Sequence, residues 1–402
     1  MPGTELFGNE ERKEINDVMN TGILFRYNHD YQRNHFWKAK DFEEEVRNLT
    51  GANYAHAVSS GSAGILIALA AAGIGYGDEV IVPPFTYIAT IEAVLFLGAK
   101  PVFAEIDETL CLSAEGIKDA ITPQTKAVCL VHMCGAMANM HSIMRVINEH
   151  NLILVEDAGQ AFGASFKGIS TGLFGKAGSY SFDFFKIATA GEGGVIVTND
   201  EEIYKLADSY SDHGHDHIGS NRGMEQHPVL GFNYRISELH AAIGVAQTRK
   251  VPQIRQINNK YKKIMIEILS QTPGISFAKV ADPAGDSGTF LNILLPNEDI
   301  ARRTLADLST VGISGYNYWY TNMYHFINQW DHIKELRTVS KIGIQTDSNH
   351  QDYSNLYLPK SQDVMSRLIS FGIKCMWQEI EVRTLAQFIA KSVQMAMLEV
   401  EA

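Results

Sequence analysis

AHAVSSGSAGILIALAAAGI, residues 55–74, passes from an apolar strand end through a glycine-containing turn into a helix apolar on nearly every face. A helix of that kind is covered on all sides, and a strand feeding it directly suggests a βα unit. The pattern repeats in DEVIVPPFTYIATIEAVLFLGA, residues 78–99. KPVFAEID (100–107), KAVCLVHMCG (126–135), LILVEDAG (152–159), GSYSFDF (178–184) and GEGGVIVTND (191–200) are further strand candidates. Near-continuous apolar strands alternating with helices predict an α/β fold with a mainly parallel sheet covered on both faces. ISELHAAIGVAQTRKV (236–251) has helical periodicity and is expected to close this large domain. QIRQINNKYKKIMIEIL (253–269) reads as an amphipathic helix entering a smaller α+β domain, with ADPAGDSGTFLNILLP (281–296) as a turn and strand within it. The expected division is residues 1–250 and 251–402.

The chain has 402 residues, 45% hydrophobic and 20% charged, a length that fits two domains. Its net charge of -12 argues against a general nucleic-acid binder, which carries a basic face. No apolar run reaches the ~18 residues of a membrane span. MPGTELFGNEERKE, at the start of the sequence, lacks the basic and apolar segments of a signal peptide. Cys111, Cys129, Cys134 and Cys375 are scattered without CxxC spacing. The expectation is a cytoplasmic protein with no metal, no nucleic acid and no membrane partner.

Three segments can carry chemistry. SSGSAG (59–64) sits between strand and helix, where backbone N–H groups at a helix start form an anion site. The same hexapeptide also serves as an ordinary βα turn, and its spacing matches neither a P-loop nor a dinucleotide fingerprint. In VEDAGQAFGA (155–164), Asp157 follows an apolar strand, at the end where parallel sheets bind ligands. A carboxylate there stabilises a protonated heterocycle nitrogen or simply caps a helix. Strand alternation turns Glu156 to the opposite face. In SFDFFKIATAGEGG (181–194), Lys186 lies between aromatic residues and glycines. It is a solvated loop residue or a covalently used amine. The ordered combination of phosphate turn, strand-end aspartate and glycine-flanked lysine favours the second reading.

Together with GFNYRISELHAAIGVAQ (231–247), these stretches resemble the DegT/DnrJ/StrS sugar aminotransferase family over most of the chain. The resemblance implies an aspartate aminotransferase-like, fold type I architecture and a homodimer with active sites at the interface. It implies that Lys186 links covalently to pyridoxal 5'-phosphate and that Asp157 pairs with the pyridinium nitrogen. Gln160 would lie near the ring oxygen and Tyr87 on the ring face. Gly61 and Ser62 would bind the phosphate through backbone N–H groups, Ser181 through its hydroxyl, and Asn233 from the partner subunit. L-Glutamate is the implied amino donor and a keto or aldehyde sugar the acceptor. One family branch carries histidine at the lysine position and dehydrates its sugar; Lys186 argues against that branch. A cofactor-binding regulator is the reading from another class, disfavoured by the acidic balance and the lack of a basic arm.

GILFRYNHD (22–30), LVHMCGAMANM (130–140), SDHGHDHIG (211–219), GYNYWYTN (315–322) and LPKSQDVMSRLISFGIK (358–374) resemble one branch of that family. That branch aminates the 8-oxo form of 3-deoxy-octulosonate to give 8-amino-3,8-dideoxy-manno-octulosonate for lipopolysaccharide. Its acidic sugar needs a cation, for which Arg26 is the candidate, although a structural salt bridge is the more ordinary use of that residue. Tyr318, Trp319 and Tyr320 either pack on a sugar or belong to the small-domain core. DHGHDH (212–217) is expected to be a polar loop or a subunit-crossing contact rather than a metal site, with His215 and His217 reaching substrate. Cys134 is expected to be a buried small hydrophobe.

Overall fold

Seven short segments, six of them largely apolar, assemble into one sheet. The computed structural model describes residues 2–219, 221–346 and 353–401. The strands are β1 Tyr54–Val58, β2 Glu79–Val82, β3 Lys100–Phe103, β4 Thr125–Val131, β5 Ile153–Asp157, β8 Ala177–Ser181 and β9 Gly194–Thr198, with β6 Ser165–Phe166 and β7 Ile169–Ser170 forming a separate hairpin. Their order is β1-β9-β8-β5-β4-β2-β3. Only β9 runs against its two neighbours; the remaining pairings are parallel. The α/β sheet expected from the alternation is therefore present, and all six strand candidates named after the opening βα unit fall on it.

The opening stretch places the helix Gly61–Ala71 directly after β1. Ser60 caps it by accepting the Ala63 N–H at 3.0 Å. Ile65, Ile67, Ala68 and Leu69 are buried, because the helix lies between the sheet and the helices Ala89–Phe96 and Glu201–Ser211. A Cβ at Gly64 would stand 2.2 Å from Ser179 Oγ, so glycine lets the helix lie against β8.

A second, antiparallel sheet contains β10 Ser276–Phe277, β11 Phe290–Leu294, β12 Tyr316–Asn317 and β13 Leu368–Gly372, ordered β10-β11-β13-β12. It shares a core with the helices Glu298–Thr310 and Glu379–Glu401 through Leu291, Ile293, Ile369, Phe371, Ile300 and Val382. The two helices expected around residue 251 are one, Glu238–Leu269, with Pro252 inside it. Proline removes one backbone donor, which made the sequence read as two pieces. The expected division after residue 250 thus falls within a continuous helix. Part of the C-terminal half also packs in the large core: Trp319, Phe326, Trp330, Ile344 and Tyr353 join Val82, Phe85 and Ile91 there.

Candidate active site

Strand alternation separates two adjacent carboxylates. Glu156 is fully buried and accepts the N–H groups of Gly172, Phe174 and Gly175 at 2.7–2.8 Å, with His132 Nε2 at 3.0 Å. It anchors the loop that precedes β8. Asp157, the last residue of β5, points the other way, as expected. Its Oδ2 accepts the Thr90 hydroxyl at 2.7 Å and its Oδ1 the Gly159 N–H at 3.0 Å. Thr90 in turn meets the Thr86 hydroxyl at 2.8 Å. Two donors fix the carboxylate's direction without neutralising it.

The start of the helix Gly61–Ala71 meets the end of β8 beside this aspartate. A Cβ on Gly61 would lie 2.5 Å from Ser181 Cβ, and one on Gly159 would lie 3.1 Å from Asp157 Oδ1 and 3.3 Å from Ser181 Cβ. With Ser60 serving Ala63, the N–H groups of Gly61 and Ser62 have no partner among the described residues. Unpaired N–H groups at the positive end of a helix dipole suit a phosphate. Ser181 Oγ accepts only a long 3.4 Å bond from the Asp183 N–H, which leaves its own proton to donate.

Lys186 is half-buried, and among the described residues no hydrogen bond or ion pair engages its ammonium. It is close enough to His325 for its charge to bear on that imidazole. His325 stands 5.6 Å from the Tyr87 ring, and Tyr87 follows Thr86. A chain of neighbours thus runs from Asp157 through Thr90, Thr86, Tyr87 and His325 to Lys186. Gln160 flanks it; its Oε1 accepts the Cys134 N–H at 3.0 Å, which leaves the amide NH2 to donate. Cys134 itself is buried, as expected, and burial pushes its thiol far up.

Other expected contacts lie elsewhere. Arg26 is buried, with its guanidinium on Glu43 Oε1 at 2.7 Å and on the Ala57 carbonyl at 2.5 Å. Of the two uses expected for Arg26, the structure shows the salt bridge: the charge is already matched inside the fold, and no free cation is left there for a substrate carboxylate. Tyr318 gives its hydroxyl to the Ser366 carbonyl at 2.8 Å and lies against Arg302, and burial pushes its phenol up to about 12. Of the aromatic run, Trp319 approaches the site, with its ring 4.6 Å from that of His325. Asn233 is exposed, and among the described residues its Oδ1 accepts only the Arg235 N–H at 3.3 Å and no hydrogen bond joins it to Gly61, Ser62 or Ser181.

The DHGHDH segment is an ion-pair knot. His217 puts Nδ1 on Asp208 at 2.8 Å and Nε2 on Asp212 at 2.9 Å, and stacks on Tyr27 at 4.0 Å. Asp212 also takes Arg222 and Arg235, while His215 pairs with Glu225 at 2.9 Å. Among the described residues no group of three or more His, Cys, Asp or Glu is placed to share a metal. No helix among them is long and apolar enough to cross a membrane.

Residues 7–341 match the model of the DegT/DnrJ/EryC1/StrS aminotransferase family. The chain belongs to that family. It is 40% identical over 214 residues to a GDP-perosamine synthase of Caulobacter vibrioides, covering 53% of this chain and 57% of the relative. It is 33% identical over 319 residues to the spore coat polysaccharide biosynthesis protein SpsC of Bacillus subtilis, covering 78% and 79%. The chain spans little more than half the length of the first of these relatives. Among solved structures, an aminotransferase from Psychrobacter cryohalolentis superposes with a TM-score of 0.82 at 24% identity over 98% of both chains. A GDP-4-keto-6-deoxymannose-3-dehydratase superposes at 0.80 and 23%, over 97% of this chain and 99% of that one. The fold is the aspartate aminotransferase-like fold type I.

Pattern reading missed Thr86, Thr90 and His325. The threonines flank Tyr87 in PFTYIAT with the four-residue spacing of one helical turn, a signal that was available. His325 had none. It reaches the site only because Thr86 and Phe85 pair with residues 325 and 326 across 240 positions of sequence.

Proposed function

We propose that this protein is a pyridoxal phosphate-dependent aminotransferase that moves an amino group from L-glutamate to the carbonyl carbon of a sugar. The observation that carries the proposal is the unpartnered Lys186 amine, joined through His325, Tyr87, Thr86 and Thr90 to an oriented Asp157 carboxylate, with two free helix-start N–H groups near that carboxylate. These groups fit the cofactor's aldehyde, ring nitrogen and phosphate. When bound, pyridoxal phosphate supplies an electron-accepting ring and an aldehyde that condenses with amines. Asp157 would hold a proton on the ring nitrogen, and Thr90 and Gly159 keep that carboxylate in one orientation. Gly61, Ser62 and Ser181 would hold the phosphate, and Tyr87 would lie against the ring. Lys186 Nζ, as free base, would take the proton from the donor's α-carbon and pass it on before the keto acid leaves, and in the reverse half the same amine would give a proton to the sugar carbon.

A second copy of the chain completes the site in this reading. Phe184 and Phe185 beside Lys186, Met323 and Tyr324 beside His325, and Leu230 and Phe232 beside the exposed Asn233 in sequence are all large, apolar and exposed. A homodimer would cover that surface and bring the partner's loop to the phosphate. A cytoplasmic enzyme of lipopolysaccharide assembly is the matching cellular role.

For the acceptor, the five stretches resembling the octulosonate branch support 8-oxo-3-deoxy-octulosonate. The match to GDP-perosamine synthases supports a nucleotide-linked keto sugar instead. Single turnover of the pyridoxamine-loaded protein with each acceptor separates the two. Exclusive reaction with a nucleotide-linked sugar removes the octulosonate and leaves the reaction class. The reaction class has its own test: borohydride should bleach a yellow protein and fix the cofactor on Lys186. Trapping on another lysine would falsify the assignment.

A further inference from the structure

His325 is held more tightly than a loop residue needs to be. The Thr86 N–H donates to its carbonyl at 3.0 Å, and the Ile88 N–H to the Tyr324 carbonyl at 3.2 Å. Its ring stands edge-on to Trp319 at 4.6 Å, and Trp319 is itself fixed by its Nε1–H on Ser370 Oγ at 2.7 Å.

The hydrogen bonds also settle which nitrogen carries the proton. Asn322 Oδ1 accepts the Tyr324 N–H at 2.9 Å, so that atom is the amide oxygen and not the nitrogen. The same oxygen lies 2.9 Å from His325 Nδ1. An amide oxygen only accepts, so Nδ1 bears the hydrogen and Nε2 presents a lone pair. Burial and the nearby Lys186 charge pull the imidazole down to about 4, which keeps the lone pair unprotonated. Among the described residues nothing donates to Nε2. A fixed, neutral acceptor therefore stands unmatched on a ring 4.6 Å from Trp319 and 5.6 Å from Tyr87, within range of the Lys186 charge.

We propose that His325 Nε2 accepts a hydrogen bond from a hydroxyl on the carbon next to the sugar's reacting carbonyl. The acceptor is thereby selected as an α-hydroxy aldehyde or ketone. The inference rests on the aminotransferase reading of Lys186, and it holds for either acceptor named above, since each carries a hydroxyl beside its carbonyl. A carbonyl oxygen would face the lone pair as like against like, whereas a hydroxyl supplies the missing proton. His325 is then a specificity-determining contact and takes no proton itself.

Two substitutions divide the ring's two functions. His325→Asn keeps a donor at the Nδ1 position and loses the acceptor; His325→Gln can place its amide oxygen where Nε2 was. The probes are glyceraldehyde and 3-hydroxypropanal, which differ in the α-hydroxyl, each reacted in single turnover with the pyridoxamine-loaded protein. The wild type is expected to favour glyceraldehyde by about tenfold or more, the worth of one matched hydrogen bond. The ratio should fall close to unity in His325→Asn and survive in His325→Gln. Because a ratio is read, a general loss of rate cancels. Nitrogen-15 NMR of histidine-labelled protein without cofactor gives an independent readout. The signal missing from His325→Gln should show a neutral, Nδ1-protonated ring at a pH where an ordinary histidine is half protonated. The proposal is overturned by a wild type with no preference (reaction with neither probe included), by a ratio that survives in His325→Asn, by one lost in His325→Gln, or by a charged ring. Borohydride trapping on Lys186, done before any sugar is added, separates these failures from failure of the aminotransferase reading.

Discussion

The Thr90 hydroxyl donates to Asp157 Oδ2 at 2.7 Å, from the first turn of a helix to the end of a strand 67 residues away. With the Gly159 N–H on Oδ1, it leaves the carboxylate a single orientation. Thr90→Val keeps the shape and removes one of the two guides. A hydrogen bond to a charged group is worth roughly 1.5–3 kcal/mol. The turnover number should therefore fall by about tenfold or more, while borohydride still traps cofactor on Lys186. Thr90→Ser should restore most of the rate. Steady-state kinetics of the two variants check this, and an unchanged Thr90→Val protein would remove Thr90 from the site.

Gly61 and Ser181 approach so closely that a methyl group has no room: its carbon would stand 2.5 Å from Ser181 Cβ. Gly61→Ala must push the helix start away from β8, at a cost of roughly 1–3 kcal/mol typical of overpacking. The displaced N–H groups then miss the phosphate. Absorbance titration should show pyridoxal phosphate held about tenfold more weakly or worse, with circular dichroism of the unloaded protein retained.

His217 stabilises the protein only while it is charged. Burial opposes the imidazolium, but hydrogen bonds to Asp208 and Asp212 outweigh it and raise the pKa from 6.5 to about 9. A group whose pKa rises on folding contributes fully below its unfolded value, and that contribution is lost as pH climbs through the folded one. Between about 6.5 and about 9 the knot of His217, Asp208, Asp212, Arg222 and Tyr27 should lose on the order of 2–3 kcal/mol of stability. Melting temperatures measured across that window should fall more steeply in the wild type than in His217→Gln. Parallel curves would assign the effect to other groups.

The difference between what local pattern revealed and what it hid is physical. Strands β1 to β5, β8 and β9 are short apolar runs whose burial follows from their own composition, and the Asp157 and Glu156 faces follow from a two-residue repeat. The close approach at Gly61 follows from a glycine-bearing turn, and Lys186 stands out in the sequence as an amine between aromatic residues and glycines. His325 is legible only through pairing between residues 85–88 and 324–326, which no local period encodes. The single helix Glu238–Leu269 was hidden for a different reason. A proline normally argues for a break, and here the packing of Ala246, Val251 and Ile254 on either side of Pro252 outweighs one lost donor. Arg26 shows the converse case, in which the acidic sugar called for a cation and the fold had supplied Glu43 as its partner.

Arg26 allows that last distinction to be measured. Both members of its pair with Glu43 are buried, and Glu43 also accepts the Ala57 N–H at 2.7 Å. Arg26→Met leaves a buried carboxylate without its cation, a change that costs roughly 3–5 kcal/mol when one partner of a buried pair is removed. The melting temperature should drop sharply, and Glu43→Gln alone should lower it in the same way by stranding the guanidinium. In Arg26→Met combined with Glu43→Leu no charge is stranded, so much of the loss should be recovered. If the arginine serves the fold, the double variant turns over its sugar with a KM near that of the wild type. If it serves a substrate carboxylate, the double variant recovers stability and still shows a KM raised by about tenfold or more. Melting curves and sugar KM, read on the same preparations, decide between the two uses.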